Sequence, residues 1–294
     1  MNKHTDKNAV WFTSSLFDEA AASGQTDAYR LCHGFSTRHG GMSRDPYLED
    51  LNLGFSVGED RKITVENYGM FSTTLGIKPG HVLCAYQTHT AAVLPVTADD
   101  CGMGLDENHP RPGGVYADGF DALVTSSRDT ALTVRAADCV PILFWDPVHA
   151  VIGAAHAGWR GTFGKIAAET VSAMEALGAN RQTVLVSIGH AIGVCCYEVD
   201  DAFYERFSAA FGKEICDSVF VRSPHFSDPA KYHCDLRALN RRILTDFGVP
   251  PEHIEVSALC TCCNPALFFS HRYAVANQGG KRGLMGAMIS MEQR

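Results

Sequence analysis

The stretch AVIGAAHAGWRG, residues 150–161, decides how this chain is read. Its first half is a short apolar run, which predicts a buried strand. A chain leaving a buried strand is expected to turn and become polar. This one turns through Gly158 and Gly161 while presenting His156, Trp159 and Arg160. Strand ends on a rigid scaffold are where functional groups are exposed, so the three side chains are candidates for chemistry.

Working outward, three more β-type runs precede this one: FDALVTS at 120–126, TALTVRA at 130–136 and VPILFWD at 140–146. Turn residues separate them. A helix is predicted over KIAAETVSAMEALG, with Ile166, Thr170, Met174 and Leu177 on one face and Gly178 as its stop. Upstream, LCHGFSTRHGGMS reads as a strand ending at Gly40-Gly41. DRKITVENYGMFSTTLG reads as a helix with Ile63, Asn67, Met70 and Phe71 on its stripe. HVLCAYQ and AAVLPVT read as strands around His89. Downstream come TVLVSIG as a strand and two amphipathic helices, DDAFYERFSAAFG and CDLRALNRRILTDFG, the second with Leu236, Leu239, Ile243 and Phe247 on its stripe. The last strand is LMGAMIS. Residues 1–30 read as an irregular lead-in, and 31–294 as one domain. Consecutive strands mixed with helices make the expected class α+β. No internal repeat or low-complexity linker is present.

The chain has 294 residues, 46% hydrophobic and 20% charged, which suits a globular protein with a sizeable core. A net charge of −8 argues against general nucleic-acid binding, which needs a basic surface. It leaves room for a small anion held by local arginines. No apolar run approaches the roughly 18 residues of a membrane helix, and no secretory h-region is seen. Eleven cysteines is an odd count in a long chain, which points to reduced thiols and a cytoplasmic setting.

His89, Cys139 and His156 each lie where a strand ends. Two imidazoles and a thiolate make a Zn²⁺ donor set with a fourth position left for water, the arrangement of a catalytic rather than a structural site. The metal would acidify that water or polarise a substrate atom. Two other readings stand beside it: satisfied turn histidines around a buried thiol, or a Cys139–His156 nucleophile pair. Arg38 in STRHGG and Arg160 in HAGWRG sit beside glycines that let backbone N–H groups approach an anion, so both are candidate phosphate holders. Trp159 and Phe35 are expected to pack. Asp118 and Asp138 are candidates to cap a turn or orient a histidine. The thiols of CTCCNP (Cys260, Cys262, Cys263) read as buried or loop thiols. Cys195 and Cys196, being neighbours, are expected to point apart rather than share a metal.

Taken together, YQTHTAAV, ADGFDALVT, AADCVPILFWDP, AVIGAAHAGWRGT, AIGVCCYEV, DLRALNRRIL and FFSHR, in this order, resemble the family once called multicopper polyphenol oxidases or laccase-domain proteins. Its members are now regarded as zinc-dependent purine nucleoside phosphorylases. FSTRHGGMS, LNLGFSVGED and VEN extend the likeness over about residues 31–290. The resemblance implies a layered α/β/β/α domain with mixed sheets and His89, Cys139 and His156 as metal ligands and catalytic residues. It implies phosphorolysis of adenosine, inosine, guanosine and methylthioadenosine, and deamination of adenosine. The partners expected are small-molecule substrates, with no nucleic acid and no membrane, and the chain is expected to be a monomer or weak homodimer. The chain departs from the family pattern at Gly189-His190-Ala191-Ile192, at Tyr273 in place of an arginine, and at Gly283-Leu284-Met285-Gly286. These departures bear on substrate contacts, and the 98–114 segment is expected to shape the mouth of the site.

The older name offers a rival, a copper-dependent phenol oxidase. The chain contains no His-X-His pair of the kind laccase clusters use, although Cu²⁺ would also bind this donor set. A metal-bound adaptor without catalysis is the remaining alternative.

Overall fold

The run at 150–161 forms the strand Val151–Ala157, buried along its whole length. It pairs antiparallel with Val140–Asp146 in a hairpin that sets Pro141 opposite His156. In the computed structural model, which describes every residue except 24–27, 56–57, 111, 117, 223–227 and 229, these two strands are the centre of a six-stranded sheet. Its order is Ile254–Val256, Leu185–Ile188, Val140–Asp146, Val151–Ala157, Ala122–Thr125, Val93–Pro95. Parallel pairs close both edges. A second six-stranded sheet runs Asn2–Asp6, Ala9–Thr13, Arg30–Ser36, Met285–Glu292, Ala131–Ala136, Val82–Cys84. A small third sheet joins Glu198–Val199, Tyr232–Cys234 and Phe220–Val221.

Side-chain alternation explains the layering. Leu143, Trp145, Ile152 and Ala154 point from the central sheet toward Leu132, Val134, Ala287 and Ile289 of the second, and this sheet-on-sheet contact is one core. Their neighbours Ile142, Phe144, Val151 and Ala155 point the other way, onto helices Ile166–Ala176 and Leu236–Phe247. Helix Arg61–Thr74 covers the outer face of the second sheet with Tyr68 and Phe71. The result is the expected α/β/β/α domain with mixed sheets.

Two details differ from the sequence reading. Residues 1–30 are not an irregular lead-in: Asn2–Asp6 and Ala9–Thr13 form a hairpin that extends the second sheet, and helix Ser15–Ala22 buries Phe17 against Trp145. Met70 is 42% exposed, and Tyr68 takes the buried position beside Phe71. The strands expected on either side of His89 are present, and they belong to different sheets because the chain crosses between layers there. Of the 98–114 segment, Arg111 lies outside the described residues. Gly104, Asp106, Glu107 and His109 line a cavity with Phe55, Tyr86 and Arg135, so the described part of this segment walls a neighbouring cavity and not those lined by His89, Cys139 and His156.

Candidate functional site

Each of the three candidate donors is delivered by a crossing between the layers or by a strand end. His89 lies in the crossover from Val82–Cys84 to Val93–Pro95, in a left-handed conformation at φ 65°. Cys139 lies in the crossover from Ala131–Ala136 to Val140–Asp146, directly after Asp138 at φ 91°. His156 stands near the end of its strand, beside Cys139 because of the hairpin register. The donor atoms of the three residues lie within 4.8 Å of one another. The Cys139 sulfur is 4.0 Å from His89 Nε2, and the two imidazoles meet edge to face at 4.9 Å.

One carboxylate sets both histidines. The Asp121 Oδ1 accepts from His156 Nδ1 at 2.7 Å. Its Oδ2 accepts from the backbone N–H of Thr88 and Thr90, at 3.0 and 2.7 Å, on either side of His89. With Nδ1 donating to Asp121, His156 keeps the Nε2 lone pair for the site. Asp121 is brought here by pairing of Ala122–Thr125 with Val151–Ala157, and its own carbonyl accepts from His156 N at 2.7 Å. Burial works against its charge, but His156 and the two backbone donors outweigh burial and lower its pKa. Asp121 is therefore the orienting acid, in place of Asp118 and Asp138. Asp118 is exposed and accepts from Thr88 Oγ1 through its carbonyl. Asp138 accepts from Thr261 Oγ1 and Arg272 N.

Burial alone would raise the Cys139 thiol; the His156 charge and hydrogen bonds from both imidazoles bring it down to about 6. Burial opposes the charge on His156, and Cys139 and Asp121 raise it to about 9. Protons and metal ions are drawn by the same electron density, so this is a site built to hold positive charge between its donors. Gly158 is the floor. A Cβ there would stand 2.9 Å from His89 Cδ2 and 3.1 Å from the Cys139 sulfur.

Two cavities open onto the donors. The larger, about 610 Å³, has Phe55, Tyr86 and Leu284 as apolar walls and Arg135, Arg282 and His271 as polar ones. The smaller, about 240 Å³, carries Arg160, Arg272, Trp159 and Tyr197, and His271 again. Arg160 lies flat on Trp159 at 4.1 Å, and Trp159 meets Phe203 edge to face. Arg38 lines neither cavity. Its Nε and Nη1 donate to the carbonyls of Glu49 and Pro265, and its guanidinium covers Phe269, so it ties loops together and is corrected as an anion candidate. Phe35 packs in the core, as expected. Arg135, Arg272 and Arg282 lie at the site unforeseen. Arg135 was hidden inside a strand, and the other two sat in the motif region read only for its departures. Tyr273 lines neither cavity, whereas Leu284 lines the larger.

Residues 32–292 match the model of a family described as multi-copper polyphenol oxidoreductase laccase. The chain belongs to this family. It is 37% identical over 263 residues to the purine nucleoside phosphorylase YlmD of Geobacillus stearothermophilus, covering 87% of this chain and 88% of that protein. It is 32% identical over 245 residues to adenosine deaminase RL5 of an unknown prokaryotic organism, covering 83% and 90%. Among solved structures, Bacillus licheniformis YfiH, described as a hypothetical protein, superposes with a TM-score of 0.81 at 30% identity over 99% of both chains. Among the described residues of this laccase-family chain, no helix is long and apolar enough to cross a membrane.

Proposed function

We propose that the chain is a zinc-dependent purine nucleoside phosphorylase that also deaminates adenosine. The observation that carries this reading is the convergence of His89, Cys139 and His156 on one point between two arginine-walled cavities. The names of its relatives support the substrate class.

The donor set fits a single Zn²⁺ with a fourth position open to the cleft. Such an ion supplies Lewis-acid polarisation of a substrate atom or of water. The chain's own residues supply the rest. Asp121 fixes the tautomer of His156 and the loop carrying His89. Phe55 and Tyr86 line the larger cavity and give it apolar wall against which a purine packs. Arg160 lines the smaller cavity with its guanidinium over the Trp159 ring. Arg282 keeps a buried Nε–H that meets no acceptor among the described residues. Forked donors of this kind hold phosphate and the charge that develops in the transition state. Adenosine, inosine, guanosine and methylthioadenosine are the substrates expected.

Chromatography of products from adenosine and zinc-loaded protein, with and without phosphate, tests the reading. Adenine and ribose-1-phosphate are expected only with phosphate, and inosine in both samples. No product in either sample overturns the assignment.

The adjacency of Cys139 and His156 supports a second reading, a thiol hydrolase. That reading requires inactivation by iodoacetamide and indifference to chelators, the reverse of the metal reading. A copper oxidase receives less support: the candidate catalytic group has three donors, and the sequence lacks His-X-His pairs.

A further inference from the structure

We propose that Cys195, Cys196, Cys260 and Cys263 form a second metal centre, a four-thiolate Zn²⁺ site that locks two turns behind the catalytic cleft. Neighbouring cysteines were expected to point apart, but the four sulfurs lie within 4.8 Å of one another. The Cys263 sulfur is 3.4 Å from that of Cys195 and 3.3 Å from that of Cys196. Four thiolates bonded to one ion at about 2.3 Å stand about 3.8 Å apart by tetrahedral geometry, so the spacing suits a mononuclear site. A multi-iron cluster would spread its ligands much farther.

The backbone around the sulfurs is arranged as a metal-binding turn. Cys260 and Cys263 have Cys-x-x-Cys spacing, and the N–H group of Gly193 donates to the Cys260 sulfur at 3.1 Å. N–H donors stabilise a thiolate that a metal has deprotonated. The facing turn, at Val194–Cys196, is held in register by the Ala191–Cys260 bridge and by Thr261 N donating to the Ala191 carbonyl.

A second observation comes from charge. Arg237 is 7% exposed, and its Nε has no hydrogen-bond acceptor among the described residues. Its nearest carboxylate oxygen, on Asp235, stands 3.8 Å away. A Cβ on Gly193 would lie 3.1 Å from Arg237 Nη2 and 3.2 Å from the Cys195 sulfur, so the guanidinium and the thiols share one wall. The Arg237 Nη1 donates to the Ser257 and Leu259 carbonyls at 2.7 and 2.9 Å, but these neutral acceptors, like four neutral thiols, give its charge no counter-ion. A zinc ion with four thiolates carries a net charge of −2 and is a counter-ion for it. Binding releases the four thiol protons to solvent.

The centre reaches the catalytic cleft through Asp138. Thr261, inside the Cys-x-x-Cys turn, donates to Asp138 Oδ1 at 2.6 Å, and Ile192 N donates to the Asp138 carbonyl at 2.9 Å. Both turns thus brace the residue before Cys139. Arg272, on the wall of the smaller cavity, donates to the Cys196 carbonyl at 3.0 Å.

The test is elemental analysis of full-length protein loaded with Zn²⁺ under reductant and then desalted. Two zinc ions per chain are expected, falling to one in Cys139→Ser and to one in Cys263→Ser. One ion that disappears with Cys139→Ser overturns the proposal, as does a Cys195–Cys263 or Cys196–Cys263 disulfide in freshly purified protein. One ion that survives Cys139→Ser and is lost in Cys263→Ser upholds it while removing the catalytic-metal reading; one that survives both substitutions overturns it. Should Cys263→Ser fail to fold, Co²⁺ loading of Cys139→Ser protein decides. A sulfur-to-cobalt charge-transfer band is expected there, and its absence refutes the centre.

Discussion

Asp121 shows how much one side chain sets at the residue scale. Its two oxygens bond an imidazole and the backbone on both sides of the other imidazole. Asp121→Asn retains one acceptor and turns an N–H₂ toward groups that are themselves donors. Metal affinity at the His89–Cys139–His156 site is expected to fall by about 10- to 100-fold, measured by competition with a chromophoric chelator, with circular dichroism unchanged. Gly158 makes a second residue-scale prediction. Gly158→Ala puts a methyl 2.9 Å from one imidazole and 3.1 Å from the thiol, displacing both. Turnover is expected to fall roughly 100-fold while the melting temperature moves little; wild-type turnover would show that the floor is not in contact with the donors.

Elements decide which arginines serve the site. Arg38 and Arg160 both follow the same local logic, a guanidinium beside glycines, but of the two Arg160 lines a cavity at the donors, whereas Arg38 ends on the carbonyls of two loops. Arg282→Ala is expected to raise the phosphate KM at least tenfold. Arg38→Ala is expected to lower stability by about 1–3 kcal/mol with phosphate KM unchanged. Steady-state kinetics beside denaturant titration separates the two. Helix Ile166–Ala176 lies close enough to its sheet that a Cβ on Gly153 would be 3.2 Å from both Met174 Sδ and Thr170 Cγ2. Met174→Ala there is expected to cost about 2–5 kcal/mol, read as a lower denaturant midpoint.

Acid stability belongs to the whole molecule, since it depends on histidines sealed between layers. Burial lowers His190 to about 3, with Arg237 adding to the effect. Burial likewise lowers His33 to about 4, against the pull of Asp18 and Glu255. Both stay neutral in the fold but protonate near 6.5 once unfolded. As pH falls from 6.5 toward 4 the unfolded chain therefore takes up protons that the folded one refuses, and stability falls by about 1.4 kcal/mol per pH unit for each group. Above 6.5 these groups contribute no slope. Urea midpoints at pH 7.5, 6 and 5 check this, and His190→Gln is expected to remove one group's share of the slope.

The sequence by itself determined the strands and helices of the central layers, because apolar periodicity is local and each run carries its own. It also singled out His89, Cys139 and His156, since donor residues at strand ends are visible as residue types. It misjudged the first 30 residues, where the polar strand Asn2–Asp6 is held by pairing with Ala9–Thr13, and that strand by pairing with Arg30–Ser36. Only the tertiary structure decided which acid orients His156, which arginines face the cleft, and that two pairs of thiols 64 or more residues apart along the chain converge at Cys195, Cys196, Cys260 and Cys263. The reason is physical. Cross-strand register and crossovers between layers place these groups, and neither is written in the spacing of any one segment.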